Sequence, residues 1–144
     1  MATGNKLAWE NMQSKLMAMG GIPKVVIGEP RRDVQSGMVA LIPLEGEVDE
    51  TVLSQPREIH RINIRMYLNW LEEDQEDIEF ALDKFRADIL EDIFGEFDLG
   101  GNVAYIMPAE TRWTYDETEV GKTVYRIVNI AISYRIDANA TFAA

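Results

Sequence analysis

The sequence contains no cysteine, which excludes disulfide bonds and thiolate metal sites. Long apolar runs are also missing, so no segment is expected to span a bilayer. The first residues, Met-Ala-Thr-Gly-Asn-Lys, lack the apolar core of a signal peptide, which predicts synthesis in the cytosol. The 144 residues suffice for one domain, and we expect 1–144 to fold as a single unit.

Basic residues are few relative to acidic ones. The chain has 14 lysines and arginines against 25 aspartates and glutamates, giving a net charge of −11. The basic residues are scattered, whereas tight DNA binding needs them concentrated to release counterions. DNA wrapping and sequence readout are therefore not expected. The acidity is explained by solubility, or by a negatively lined passage through which DNA slides without adhering.

Recognisable catalytic motifs are absent. The single histidine, His60, lies two residues after Glu58 on the same face of a predicted strand, so the pair is a candidate acid and base. A lone histidine on a strand more often has a structural role. The Gly-Gly pairs at 20–21 and 100–101 are not followed by phosphate-loop residues, and there is no Gly-x-Ser-x-Gly elbow. We predict a protein that is not an enzyme and has no catalytic residues, metal or cofactor.

Two long stretches alternate apolar and polar residues, which predicts strands. The first covers 59–70, and the last covers 124–136. In the first, one face is apolar and is expected to be buried, and the other is polar from Arg61 to Asn69. The last is apolar on one face and mixed on the other, which predicts a central strand whose second face is partly covered.

A helix is predicted from Gln75 to Phe94, because apolar residues recur there at steps of three and four. Its apolar stripe consists of Ile78, Leu82, Phe85, Ile89 and Ile93. The opposite face is acidic, and carboxylates also cluster just before the helix, where its positive dipole end favours them. The acidic runs at 72–77 and 88–92 match no EF-hand loop, so a solvated helix face is the better interpretation than a cation site.

A third strand is predicted from Val103 to Met107, resuming after Pro108 through residues 111–115 at an edge of the sheet. Residues 116–121 are predicted to form a long charged hairpin tip. Trp113 and Tyr115 flank this tip. They are either partner anchors or ordinary cross-strand packing.

The remaining segments complete the predicted fold. A short helix at 5–19, capped by Asn5, precedes a weak strand at 24–27 and an apolar strand at 38–44 near an edge of the sheet. Residues 45–57 are predicted to be an exposed acidic loop, and 138–144 a flexible tail. The predicted fold class is α+β: a single small mixed or antiparallel sheet of about four to five strands, with a long helix packed on one face and a short N-terminal helix.

This order of elements resembles the tail terminator (tail completion) proteins of long-tailed bacteriophages. The stretches that carry the resemblance are REIHRINIRMYLNW, EDIEFALDKFRADILEDIF, GGNVAYIMPAETRWTY and KTVYRIVNIAISYRI. The resemblance implies a structural virion protein at the head-proximal end of the tail, assembled in the host cytoplasm as a homohexameric ring. Such a ring caps the tail tube, stops its polymerisation and joins the head connector or neck protein, while genomic DNA only passes through its lumen. The alternatives are another tail or neck component, such as a tube subunit, and a cellular α/β binding module.

A ring of identical subunits requires each subunit to use two different patches. We expect the predicted hairpin tip and the acidic loop to contact neighbours or the tube, through Trp113, Tyr115, Asp116, Glu117, Glu47 and Asp49. The polar face of the first strand, with Arg61, Arg65 and Tyr67, is expected to pair with acidic groups of an adjoining subunit, such as Asp88 or Glu91. The alternative is that these arginines form solvated or intrachain pairs, each contributing about 0–1 kcal/mol.

Overall fold

Six β-segments and two helices make up the fold, in a computed structural model that describes residues 5–49, 57–94, 104–107 and 110–137. In chain order they are α1 (Lys6–Ala18), β1 (Val25–Ile27), β2 (Val39–Asp49), β3 (Arg57–Asn69), α2 (Gln75–Phe94), β4 (Ala104–Ile106), β5 (Arg112–Val120) and β6 (Thr123–Asp137).

All six segments belong to one mixed sheet. β1 is parallel to β2 at one edge, and the other pairings, β2–β3, β3–β6, β4–β6 and β5–β6, are antiparallel. β4 pairs with residues 134–136 of β6 and β5 with residues 123–131, so both occupy the β6 edge that β3 leaves open. The sheet therefore has six strands in five positions, and the predicted α+β class is confirmed.

Both helices pack on one face of the sheet, which we call the helix face. α2 contributes Ile78, Leu82 and Ile89, all fully buried, against the alternate apolar residues of β3 and β6. α1 adds Met12 and Leu16 to the same cluster. The predicted limits of α2 are confirmed at both ends. Because each buried large apolar side chain is worth about 1.5–3 kcal/mol, this interface is the main source of stability.

The second face of the sheet has an apolar cluster at one end. There Met38, Ala40, Tyr67, Tyr125 and Ile127 form a smaller apolar cluster, onto which Val34 packs. The Tyr125 hydroxyl donates a hydrogen bond of 3.0 Å to the Val34 carbonyl, which fixes the 28–37 loop over this cluster. The prediction that the second face of the last strand is partly covered is thus confirmed.

The predicted acidic loop at 45–57 is wrong for residues 45–49 and 57, which are paired strand residues. β2 continues through Glu45–Asp49 opposite β3, after an irregularity between Pro43 and Glu45 shifts the register. The polar side chains of this segment project from a regular ladder. Residues 50–56 of the predicted loop, and the predicted tail at 138–144, lie outside the described residues.

The predicted long tip at 116–121 is also wrong, because the β5–β6 hairpin closes through a two-residue turn. Val120 pairs with Thr123, and only Gly121 and Lys122 lie between them. Gly121 has a φ of 64° and Lys122 has a negative φ, as in the type II′ turns that favour glycine at this position. Residues 116–119 therefore belong to β5.

Candidate functional site

The candidate acid–base pair of His60 and Glu58 lies beneath the start of α1. His60 Nε2 donates to Glu58 at 2.8 Å, and its Nδ1 accepts from the Asn5 amide at 3.3 Å. The His60 ring stacks on Tyr134, whose hydroxyl donates to Asn5 Oδ1 at 2.5 Å and accepts from the Trp9 indole at 2.7 Å. Both ring nitrogens of His60 thus have protein partners, and the network ties α1 to β3 and β6.

Asn5 was predicted to cap α1, and the structure corrects this. Its side chain makes no capping hydrogen bond, because its amide group is already engaged by Tyr134 and His60. On the opposite strand Gly46 leaves room for the imidazole: a Cβ there would lie 3.3 Å from His60 Nδ1. The side chain of Asn5 therefore makes tertiary contacts with β3 and β6, which the local spacing of the sequence does not reveal.

Arg61, a predicted interface residue, lies on the polar part of the second face among three glutamates of its own chain. Its guanidinium is 3.8 Å from Glu45, 3.4 Å from Glu47 and 3.7 Å from Glu110. The arginine side chain is 27% exposed. These pairs join β2, β3 and the segment before β5, as in the intrachain alternative.

Arg65 also has partners within the chain. Its Nε donates to Asn129 Oδ1 at 2.6 Å, and its Nη1 lies 3.4 Å from Glu29 and 3.3 Å from the Tyr67 hydroxyl. Tyr67 is fully buried, and burial raises its pKa. The 28–37 loop and its own sheet enclose Tyr67, so its ring is not exposed on the polar strand face.

Trp113 and Tyr115 join the edge strand β5 to α2. The Arg86 guanidinium lies 4.9 Å from the Trp113 ring centroid, and it donates to Asp83 at 2.8 Å. The Tyr115 hydroxyl donates to the same Asp83 oxygen at 2.8 Å. These contacts are packing within the chain, although Trp113 remains 43% exposed.

We expect acid to destabilise this β5–α2 cluster only when the pH falls below the ordinary pKa of an aspartate. The hydrogen bond from Arg86, and then that from Tyr115, hold the pKa of Asp83 below its usual 3.8. Because the folded pKa of Asp83 is lowered, its carboxylate contributes its full stabilisation when the pH is above the ordinary aspartate pKa. This stabilisation is lost as the pH falls through the lowered pKa of the folded state. NMR titration of the side-chain carboxyl carbons measures the pKa, and the Asp83→Asn variant assigns the Asp83 signal. An Asp83 pKa that is not lowered contradicts the prediction.

The other predicted contact residues lie at two separate edges of the sheet. Asp116 and Glu117 are exposed on β5, and Glu47 is exposed on β2. β3 and β6 lie between these strands, and Glu47 is level with Arg135 of β6 whereas Asp116 pairs with Ile127, so the two groups are also about 27 Å apart along the strands. The structure does not bring them together. The side chain of Asp49 lies outside the described part of the structure.

A different surface was missed by the sequence analysis. A cavity of about 440 Å³ opens between the end of α1, the end of β3 and α2, with Met66, Leu68 and Phe85 among its lining residues. Beside it, Leu71 is 92% exposed and Phe80 is 70% exposed. The sequence feature that could have indicated this surface is Phe80, a large aromatic residue on the acidic face of the helix.

The described ranges contain no group of three or more histidine, cysteine or acidic residues placed to hold a metal ion. In the same part of the chain, no helix combines the length and apolar character needed to cross a membrane. Comparison of the chain with protein-family models and with curated proteins finds no match.

Proposed function

We propose that this chain is a tail terminator protein, a structural virion component that closes into a ring at the head-proximal end of a phage tail. The observation that carries the proposal is the arrangement of its elements. A short helix, two strands, a long strand, an acidic helix and a terminal hairpin follow one another, and both helices pack on one face of the sheet. This is the order on which the resemblance rests.

The distribution of polar groups supports a role through surfaces. The histidine pair is engaged in tying α1 to the sheet, and the second-face arginines are engaged by glutamates and asparagine. Large apolar side chains are instead exposed amid charges around α2. Exposed apolar residues with a charged rim are the anatomy of protein–protein contacts.

Joining neighbouring sheets edge to edge is disfavoured by charge. Within the described residues, no strand pairs with the outer side of β5, or with the outer side of β2 beyond Leu41. β5 carries Asp116, Glu117 and Glu119, and the open part of β2 carries Glu45 and Glu47. Like charges along both edges oppose their pairing, as in proteins that prevent edge aggregation. Ring contacts therefore use the helix face and the second face, which differ as a heterologous contact requires.

Stopping a tube requires a ring whose two ends differ. One end matches the last ring of tube subunits, and the other rejects further subunits through unmatched charge or shape. The net charge of −11 suits a passage for DNA, because an acidic wall does not retain phosphates.

The purified protein is expected to form rings of six 16.4 kDa chains, about 98 kDa by light scattering. Negative-stain images should show single annuli that do not stack. Added to assembling tail tube protein, the rings should shorten the tubes and sit at one end. A monomer at every concentration contradicts the proposal, and so do rings that stack into tubes, which identify a tube subunit.

A further inference from the structure

The surface around α2 combines negative charge with exposed apolar groups. Residues 71–77 are all exposed and include five carboxylates without a basic side chain: Glu72, Glu73, Asp74, Glu76 and Asp77. Glu72 and Glu73 line the mouth of the 440 Å³ cavity, together with Lys84 and Asp88, which pair with each other at 2.7 Å. Phe80 lies one turn before Lys84 on the same side of the helix. We call the cavity, this acidic segment and Phe80 the acidic groove.

The opposite face of the sheet carries exposed positive charge. The 28–37 loop, which covers Tyr67 and Tyr125, presents Arg31 and Arg32 to solvent. Arg32 is 3.9 Å from Asp33 with both side chains more than 80% exposed, a pair worth little. Arg31 makes no ion pair with any described residue, and the nearby Glu29 is already engaged by Arg65. We call Arg31 and Arg32 the basic corner.

These two surfaces complement each other in charge and in chemistry. Guanidinium groups pair with carboxylates and also stack on aromatic faces, and the acidic groove offers both kinds of partner. The 28–37 loop reaches the groove through Ser36 and Gly37, yet within the described residues no ion pair joins Arg31 or Arg32 to Glu72, Glu73 or Asp77 of the same chain.

We propose that the acidic groove of one subunit receives the basic corner of a second copy of this chain, and that this contact repeats around the ring. The inference rests on the proposed function and names the interface that it requires. Arg31 and Arg32 enter between Glu72, Glu73 and Asp77, and one guanidinium stacks on Phe80. The contact joins the helix face of one copy to the second face of the next, so it is heterologous and closes by rotation.

Charge reversal tests the pairing. Arg31→Glu with Arg32→Glu, and separately Glu72→Lys with Glu73→Lys, should each lower the affinity of ring assembly by about tenfold or more, since buried charge pairs couple strongly. All four substitutions in one chain should restore the ring. The readouts are mass by light scattering and the concentration at which rings dissociate, with far-UV circular dichroism to verify folding.

Matched controls separate this contact from general charge effects. Glu10→Lys reverses a charge on α1, beside Lys6 and outside both surfaces, and should leave the ring mass unchanged. Arg31→Lys with Arg32→Lys keeps the charge but weakens stacking, and should weaken assembly less than reversal does. Phe80→Ala should weaken assembly without lowering the melting temperature, because the ring of Phe80 is 70% exposed.

The outcomes distinguish the interface from the function. Rings that persist in both reversal variants overturn this interface while leaving the terminator proposal standing. Loss of rings in the Glu10→Lys control, or failure of the fourfold variant to restore them, also overturns the pairing. A wild-type chain that never forms rings overturns the interface and the proposed function together.

Discussion

Replacing Leu82 with alanine is expected to lower the free energy of unfolding by about 2–5 kcal/mol, a large part of the stability of a domain this size. Leu82 is fully buried in the middle of α2, where the helix packs on β3 and β6. The truncation removes apolar burial and leaves a cavity, since the sheet beneath is too rigid to collapse into it. Urea denaturation followed by circular dichroism measures the loss.

Leu71→Ala is the matched control for this substitution. It makes the same chemical change just before α2, at a side chain that is 92% exposed. Its effect should stay within about 0.5 kcal/mol. Equal destabilisation by the two variants would mean that the α2 stripe does not pack as described. A normal Leu71→Ala ring would also show that this residue contributes little to assembly.

Periodicity was sufficient to predict the main elements, because burial on one face determines them. The apolar stripe predicted α2, the alternation predicted β3 and β6 as strands, and the two-sided pattern of β6 predicted its central position. These signals are local, and the same side chains that produce them form the core. Fold class therefore followed from the sequence.

The errors occurred where a distant partner decides the structure. Residues 45–49 contain Gly46 and several acidic residues, which are typical of a loop, but hydrogen bonding to β3 extends the strand through them. Tyr67 alternates with polar residues, yet the 28–37 loop buries it. No spacing in the sequence indicates that Asn129 lies beside Arg65, 64 positions away.

Surface residues were the least predictable for the same reason. The arginines of β3 were predicted to contact another subunit because the sequence alone shows no partner for a polar strand face. In the structure the glutamates of β2 and the 28–37 loop engage them. Whether Phe80, Arg31 and Arg32 are exposed depends on which distant segments fold over them, and the sequence does not indicate this.

Removing the Tyr134 hydroxyl is expected to have the second large effect on stability. In Tyr134→Phe the Trp9 indole loses its acceptor and Asn5 Oδ1 loses its donor, so α1 loses its polar attachment to the sheet. Leaving buried partners unpaired costs about 1–3 kcal/mol. Urea denaturation measures this cost. Tyr115→Phe removes a hydroxyl that donates only to exposed Asp83, and should cost about 1 kcal/mol or less.

The dependence of stability on alkaline pH tests the burial of the Tyr134 hydroxyl independently. Burial raises the pKa of Tyr134 well above its ordinary value of 10.0, so the folded chain keeps a proton that the unfolded chain loses. The stability that this provides is complete below pH 10 and is lost as the pH rises towards the folded pKa. The free energy of unfolding should therefore fall above pH 10 less steeply in Tyr134→Phe than in wild type. Parallel slopes would mean that the Tyr134 hydroxyl is solvated and that α1 is held by apolar contacts alone.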